Sequence, residues 1–133
     1  MVEVLIGKKG SGKTKALLEK VNAAATVAEG DVVFICSDMS DIYDIKSKVR
    51  MCATHELGMD SYDDLLFFIK GLLAGNYDIT NIFVDGIFKI TGSDSLDGAE
   101  GFLDELKKIT DVSFVISMSV DAASAPSYIT ELA

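Results

Sequence analysis

Apolar positions along this chain fall into two alternating rhythms, one of short continuous runs and one of helical spacing. Val2 to Ile6 is a brief, partly β-branched run that stops at Gly7, the pattern of a buried strand feeding a glycine turn. From about Lys13 the spacing changes. Leu17, Leu18, Val21, Ala24, Ala25 and Ala28 recur on one helical face, and Gly30 offers a left-handed stop. Asp31 then opens a second strand, Val32 to Cys36. Between Asp41 and Arg50, Ile42, Ile45 and Val49 share a face and predict a short helix, with Val49 to Ala53 contributing a brief strand. Ser61 followed by Asp64 has the shape of a capping box, after which Leu65, Leu66, Ile69, Leu72 and Leu73 carry a helical stripe to Gly75. Ile82 to Asp85 reads as a strand ending in an acid, Thr91 to Ser95 as a polar loop, and Phe102, Leu103, Leu106 and Ile109 as the inner face of another helix. Val112 to Ser119 alternates as the last strand, and the tail after Pro126 predicts a short terminal helix.

Strands separated by helices imply right-handed crossovers and a mainly parallel sheet covered on both faces, a three-layer α/β/α class. In such sheets ligands bind beyond the carboxyl ends of the strands, where Gly7, Asp38, Asp85 and Ser119 emerge together. With 133 residues, 49% of them hydrophobic, the expectation is one domain over residues 1–133. The longest apolar runs, such as Leu65 to Ile69, fall far short of the roughly 20 residues that span a bilayer, so no membrane insertion and a cytoplasmic setting are expected. Two cysteines and one histidine cannot build a disulfide framework or a four-ligand zinc site of Cys and His within one chain.

Charge sharpens the picture. The chain carries a formal net charge of -9, yet Lys8, Lys9, Lys13 and Lys15 crowd around the first glycine turn with no acid among them. An acidic body repels a nucleic acid backbone and an anionic membrane, whereas a compact cationic loop suits a single nucleoside triphosphate. Direct nucleic acid binding is therefore disfavoured.

The loop itself, Gly7-Lys8-Lys9-Gly10-Ser11-Gly12-Lys13-Thr14, satisfies the phosphate-loop pattern at Gly7, Gly12, Lys13 and Thr14, with a strand before it and a helix after it. Its glycines let successive backbone N–H groups turn inward around a phosphate, and the new helix adds its positive dipole end. Lys13 is placed to reach the β and γ phosphates of ATP. The Thr14 hydroxyl is a hard oxygen ligand suited to Mg²⁺.

Downstream, Asp85 ends an apolar strand where an acid can hold the water shell of that Mg²⁺. Gly86 follows it, where many related ATPases place a water-activating glutamate, so a base must come from elsewhere or turnover is weak. Asp38, just past the second strand, is either that base or an ordinary turn former. Ser117 and Ser119 offer hydroxyls for sensing the γ phosphate, or for sheet packing. Arg50, the single arginine, is a helix-end cation or a finger reaching a second copy; otherwise a protein partner must supply one. Phe67, Phe68 and Leu72 read as core.

On these residues the chain resembles the RecA-like branch of P-loop ATPases, in which an acid follows the second strand as it does in Val33-Phe34-Ile35-Cys36-Ser37-Asp38. More narrowly, Gly7 to Thr14, Ser61-Tyr62-Asp63, Tyr77-Asp78-Ile79-Thr80 and Ile82-Phe83-Val84-Asp85-Gly86 resemble small bacterial ATP-binding proteins loosely labelled twitching-motility ATPases. Lys8 with Gly10, Gly12, Lys13 and Thr14 also nearly reproduces the deviant loop of partition-type dimeric ATPases, although Lys9 stands where that family has glycine. The resemblance implies a RecA-like core and binding of ATP and Mg²⁺, with a homo-oligomer or a protein partner as the recipient of a nucleotide-state change. A small-molecule kinase is the alternative, against which stand the missing lid and cationic clamps. A module that senses nucleotide without turnover is the other.

Overall fold

In the computed structural model, which describes residues 1–39 and 44–133, the elements run β1 (Val2–Ile6), α1 (Lys13–Val27), β2 (Asp31–Cys36), β3 (Arg50–Ala53), α2 (Tyr62–Gly75), β4 (Ile79–Asp85), α3 (Ile87–Thr91), α4 (Ala99–Lys107), β5 (Ser113–Met118) and α5 (Ser127–Thr130). All five strands are parallel, in the order β1-β5-β4-β2-β3. Parallel strands buried on both faces need apolar residues on both sides, and the sequence supplies them. In β2, Val33 and Ile35 point into one cluster while Val32, Phe34 and Cys36 point into the other.

The two clusters define the layers. Leu17, Val21 and Ala25 of α1 cover one face, on Phe34, Phe83 and Val115. On the opposite face Leu65 and Ile69 of α2, Ile87 and Ile90 of α3, Phe102, Leu103 and Leu106 of α4, and Ile129 of α5 pack on Ile82, Val84, Phe114 and Ile116. Ser61 caps α2 as expected: its Oγ accepts from the Asp64 N–H at 3.1 Å. No helix among the described residues is long and apolar enough to cross a membrane.

Several expectations need correction. The helix predicted over Asp41 to Arg50 lies partly outside the described residues, and residues 44–49 are irregular rather than helical. Asp44 takes a left-handed φ of 62°, and Asn22 of α1 ties this segment down by donating to the Asp44 carbonyl at 2.6 Å and accepting from the Lys46 N–H at 3.0 Å. Ile45 and Val49 still bury on the α1 face, so apolar spacing correctly forecast burial but not helix. Gly30 is not the left-handed stop, because α1 ends in extended backbone at Ala28. Glycine is required there for another reason: a Cβ would stand 2.0 Å from the Asp78 carbonyl oxygen. Phe67 is 74% exposed, so only Phe68 and Leu72 of that trio join the core. Finally, α3 occupies part of a stretch that carried no predicted element, a single helical turn begun by Gly86 and closed by Gly92.

Candidate functional site

Because every strand runs the same way, the loops after β1, β2, β4 and β5 leave one edge of the sheet. The segment Gly7 to Gly12 joins β1 to α1 there, with Gly7 at φ 153°, Gly10 at 83° and Gly12 at 91°. Any side chain at Gly7 is strained. A Cβ on it would meet the Ser11 Oγ at 2.5 Å, in a backbone conformation that side chains disfavour. Gly12 forms the N-cap of α1 and makes no side-chain cap, which leaves the first amides of the helix facing the loop. The 15 residues of α1 stand behind it, with Leu17 fully buried as the anchor.

Lys13 folds over this turn. Its Nζ donates to the carbonyls of Gly7 and Lys8, both at 3.0 Å. Burial lowers its pKa below the ordinary lysine value; the Asp85 carboxylate opposes that shift and the Lys89 ammonium reinforces it. Thr14, one residue on, donates from Oγ1 to Asp85 Oδ1 at 3.2 Å across 71 positions of sequence. Lys8 extends away from the turn toward Asp121, Nζ to Oδ2 at 3.7 Å. Lys9 and Gly10 line the cavity, while the Ser11 N–H closes the turn onto the Lys8 carbonyl at 3.0 Å.

Asp85 is held from two sides. Ser117 Oγ donates to Asp85 Oδ1 at 3.1 Å and accepts from the Gly86 N–H at 2.7 Å. The strand order explains why: β5 lies between β1 and β4, in register with Leu5 of β1 opposite Ser117 and Val84 of β4 opposite Ile116. Ser117, only 1% exposed, therefore bridges the phosphate-loop strand and the acid-bearing strand. The two expected readings of its hydroxyl, γ-phosphate sensing and sheet packing, do not include the bond to Asp85, by which it positions the acid. Ser119 is exposed and lines the cavity directly.

These residues enclose one open cavity of about 450 Å³, lined by Lys9, Gly10, Gly12, Lys13 and Thr14 on the loop side and by Asp85, Gly86 and Lys89 opposite, with Ser117 and Ser119 between. Its donor set is three cationic side chains, Lys9, Lys13 and Lys89, with oxygen groups of Thr14 and Asp85, which fits a magnesium-bound polyphosphate. A second cavity of about 230 Å³, lined by Asp60, Ser61, Tyr62, Thr91, Ser93 and Ser95 among others, contains none of the loop residues.

Asp38 is exposed beyond the end of β2, the strand next to β4, with Cys36 opposite Asp85. It does not line the 450 Å³ cavity. Arg50 begins β3 rather than ending a helix, and pairs with Asp31 at 3.3 Å where Asn76 also donates to that carboxylate at 2.8 Å. This pair sits at the amino ends of the strands, the edge opposite the loop. Sequence reasoning missed Lys89. The signal was present, since Ile87 and Ile90 are core residues one turn apart and leave Lys89 on the outer face of a turn that starts at Asp85-Gly86.

No protein-family model matches this chain, and no curated protein matches it. Among solved structures, a KaiC-like protein from the hyperthermophilic archaeon Pyrococcus horikoshii is similar over 98% of this chain and 67% of its own length, with a TM-score of 0.63 and 15% sequence identity. Identity that low establishes the fold alone. The twitching-motility label suggested by sequence resemblance has no counterpart in this comparison. What the likeness does carry is the architecture: the chain has a RecA-like three-layer α/β/α fold built on a five-stranded parallel sheet.

Proposed function

We propose that this chain, acting as one domain, binds ATP with Mg²⁺ at Gly7 to Thr14 and is a slow ATPase whose nucleotide state changes its shape or its partner. The observation that carries the reading is the meeting of Lys13, Thr14 and Asp85 at the rim of one cavity, from segments far apart in sequence. Loop amides and the N-terminus of α1 receive the α and β phosphates, and Lys13 exchanges its two carbonyl acceptors for phosphate oxygens of the β and γ groups. Mg²⁺ would be held by the Thr14 hydroxyl and the Asp85 carboxylate, where it neutralises charge on the phosphates. Ser117 keeps Asp85 turned toward that position.

Turnover requires a base to orient water. Asp38 is assigned that role because β2 adjoins β4 and brings its carboxylate to the same edge of the sheet. The recipient of the nucleotide-state change is a protein partner or a second copy of the chain, and cytoplasm is the setting in which ATP and two free thiols coexist. A second reading, a sensor that binds ATP without turnover, is favoured by one feature. Among the described residues lining the cavity, Asp85 is the lone carboxylate, and Gly86 follows it.

Titration of Mg-ATP into the folded protein by calorimetry tests the binding claim. Lys13→Ala is expected to lose about 1.5 to 3 kcal/mol of affinity, the worth of one charge-assisted hydrogen bond. An unchanged affinity refutes the site. Phosphate release then separates the two readings: a parent that turns over ATP faster than Asp38→Asn supports the base assignment, and equal rates reject it.

A further inference from the structure

We infer that Lys89 is a second phosphate clamp, reaching the distal phosphate from the wall opposite the loop and so distinguishing a bound triphosphate from a diphosphate. The inference rests on the ATP-binding reading above and deepens it.

Four observations support Lys89 in this role. It lines the same cavity as Lys13, Thr14 and Asp85, yet comes from α3, which starts two residues after the acid. Its direction is set by Gly86, whose left-handed backbone (φ 67°, ψ 63°) folds the chain straight from β4 into the helical turn. The aliphatic stem of Lys89 then lies back over that glycine, with Cδ 3.5 Å from the position of an added Cβ. Ile87 and Ile90, 0% and 3% exposed, bury the other side of the turn and hold the lysine outward. Among the described residues, Lys89 has no carboxylate within ion-pair distance, unlike Lys8, Lys20, Lys107 and Lys108.

The phosphate-loop reading also implies which phosphate it meets. Backbone amides of the loop and α1 serve the phosphates nearest the turn, whereas Thr14 and Asp85 mark the metal side of the cavity. On that reading a phosphate beyond Lys13 toward Asp85 is the last of the three, and Lys89 of α3, which begins two residues after Asp85, lines the same cavity. The ammonium groups of Lys13 and Lys89, with Lys9 at the same cavity, repel one another when it is free of anion. A multivalent anion among them turns that repulsion into attractions. Gly86 makes the arrangement local to this chain, because its left-handed conformation is one that a glutamate at the same place rarely adopts.

Calorimetric titrations of Mg-ATP and Mg-ADP into the parent, Lys89→Ala, Lys89→Arg and Lys13→Ala distinguish the possibilities. Lys89→Ala is expected to weaken ATP about tenfold while leaving ADP within about twofold of the parent, and Lys89→Arg to retain most of the preference. Lys13→Ala weakens both nucleotides. The side chain of Lys89 is exposed, so its variants should melt with the parent, and circular dichroism verifies this. If Lys89→Ala binds ATP as tightly as the parent, or loses ADP equally, the clamp is refuted while the ATP site stands. If the parent binds neither nucleotide, the reading beneath it falls as well.

Discussion

Replacing Ser117 by alanine removes one oxygen atom from a position 1% exposed to solvent, and that atom has two bonds. It donates to Asp85 Oδ1 at 3.1 Å and accepts from the Gly86 N–H at 2.7 Å. The variant strands a partly buried backbone donor, which costs about 1 to 3 kcal/mol, and deletes a hydrogen bond to a carboxylate, worth about 1.5 to 3. The two overlap, because Asp85 keeps the Thr14 hydroxyl at 3.2 Å and retains some access to water. A combined loss of about 2 to 3 kcal/mol is expected. For a chain of 133 residues the unfolding entropy is roughly 0.28 kcal/mol/K, so the melting temperature should fall by about 7 to 11 °C. Thermal denaturation by circular dichroism reads that number. The functional readout is the gain in ATP affinity on adding Mg²⁺, which should shrink because Asp85 is no longer steered. A variant that melts within about 2 °C of the parent and keeps its full magnesium dependence refutes the claim that Ser117 organises the acid.

Two further outcomes follow from the shifted groups. Lys13 holds its proton only below a pKa that burial has moved under the ordinary 10.5, so ATP affinity should be full near neutrality and decline as pH rises into the alkaline range beneath that value. Lys13→Ala should lose this alkaline limb, and a parent whose affinity is flat there would contradict the role of the ammonium. Cys36 is buried, and burial together with Asp85, Asp38 and Cys52 pushes its thiol up to about 11. At pH 8 only about one molecule in a thousand carries the thiolate, so Cys36 should resist alkylation in the native state and react on unfolding. Rapid native labelling at Cys36, located by peptide mass, would overturn that packing.

Composition and periodicity alone gave access to the parallel sheet, because strands buried on both faces must be written as continuous apolar runs and their crossovers as amphipathic stripes. They located the loop too, since wrapping backbone around phosphate demands glycine at fixed offsets, as Gly7 and Gly12 show. Short-range signals failed where distant neighbours set the conformation. Gly30 answers to the Asp78 carbonyl, and residues 44–49 answer to Asn22, neither of which a local window contains. The site divides the same way. Lys13 and Thr14 belong to a contiguous motif, but the insertion of β5 between β1 and β4 makes Ser117 the support of Asp85, and the turn after Gly86 brings Lys89 to face Lys13. Strand order and the direction of one turn depend on packing summed over the whole chain, so they are decided only once the tertiary structure has formed.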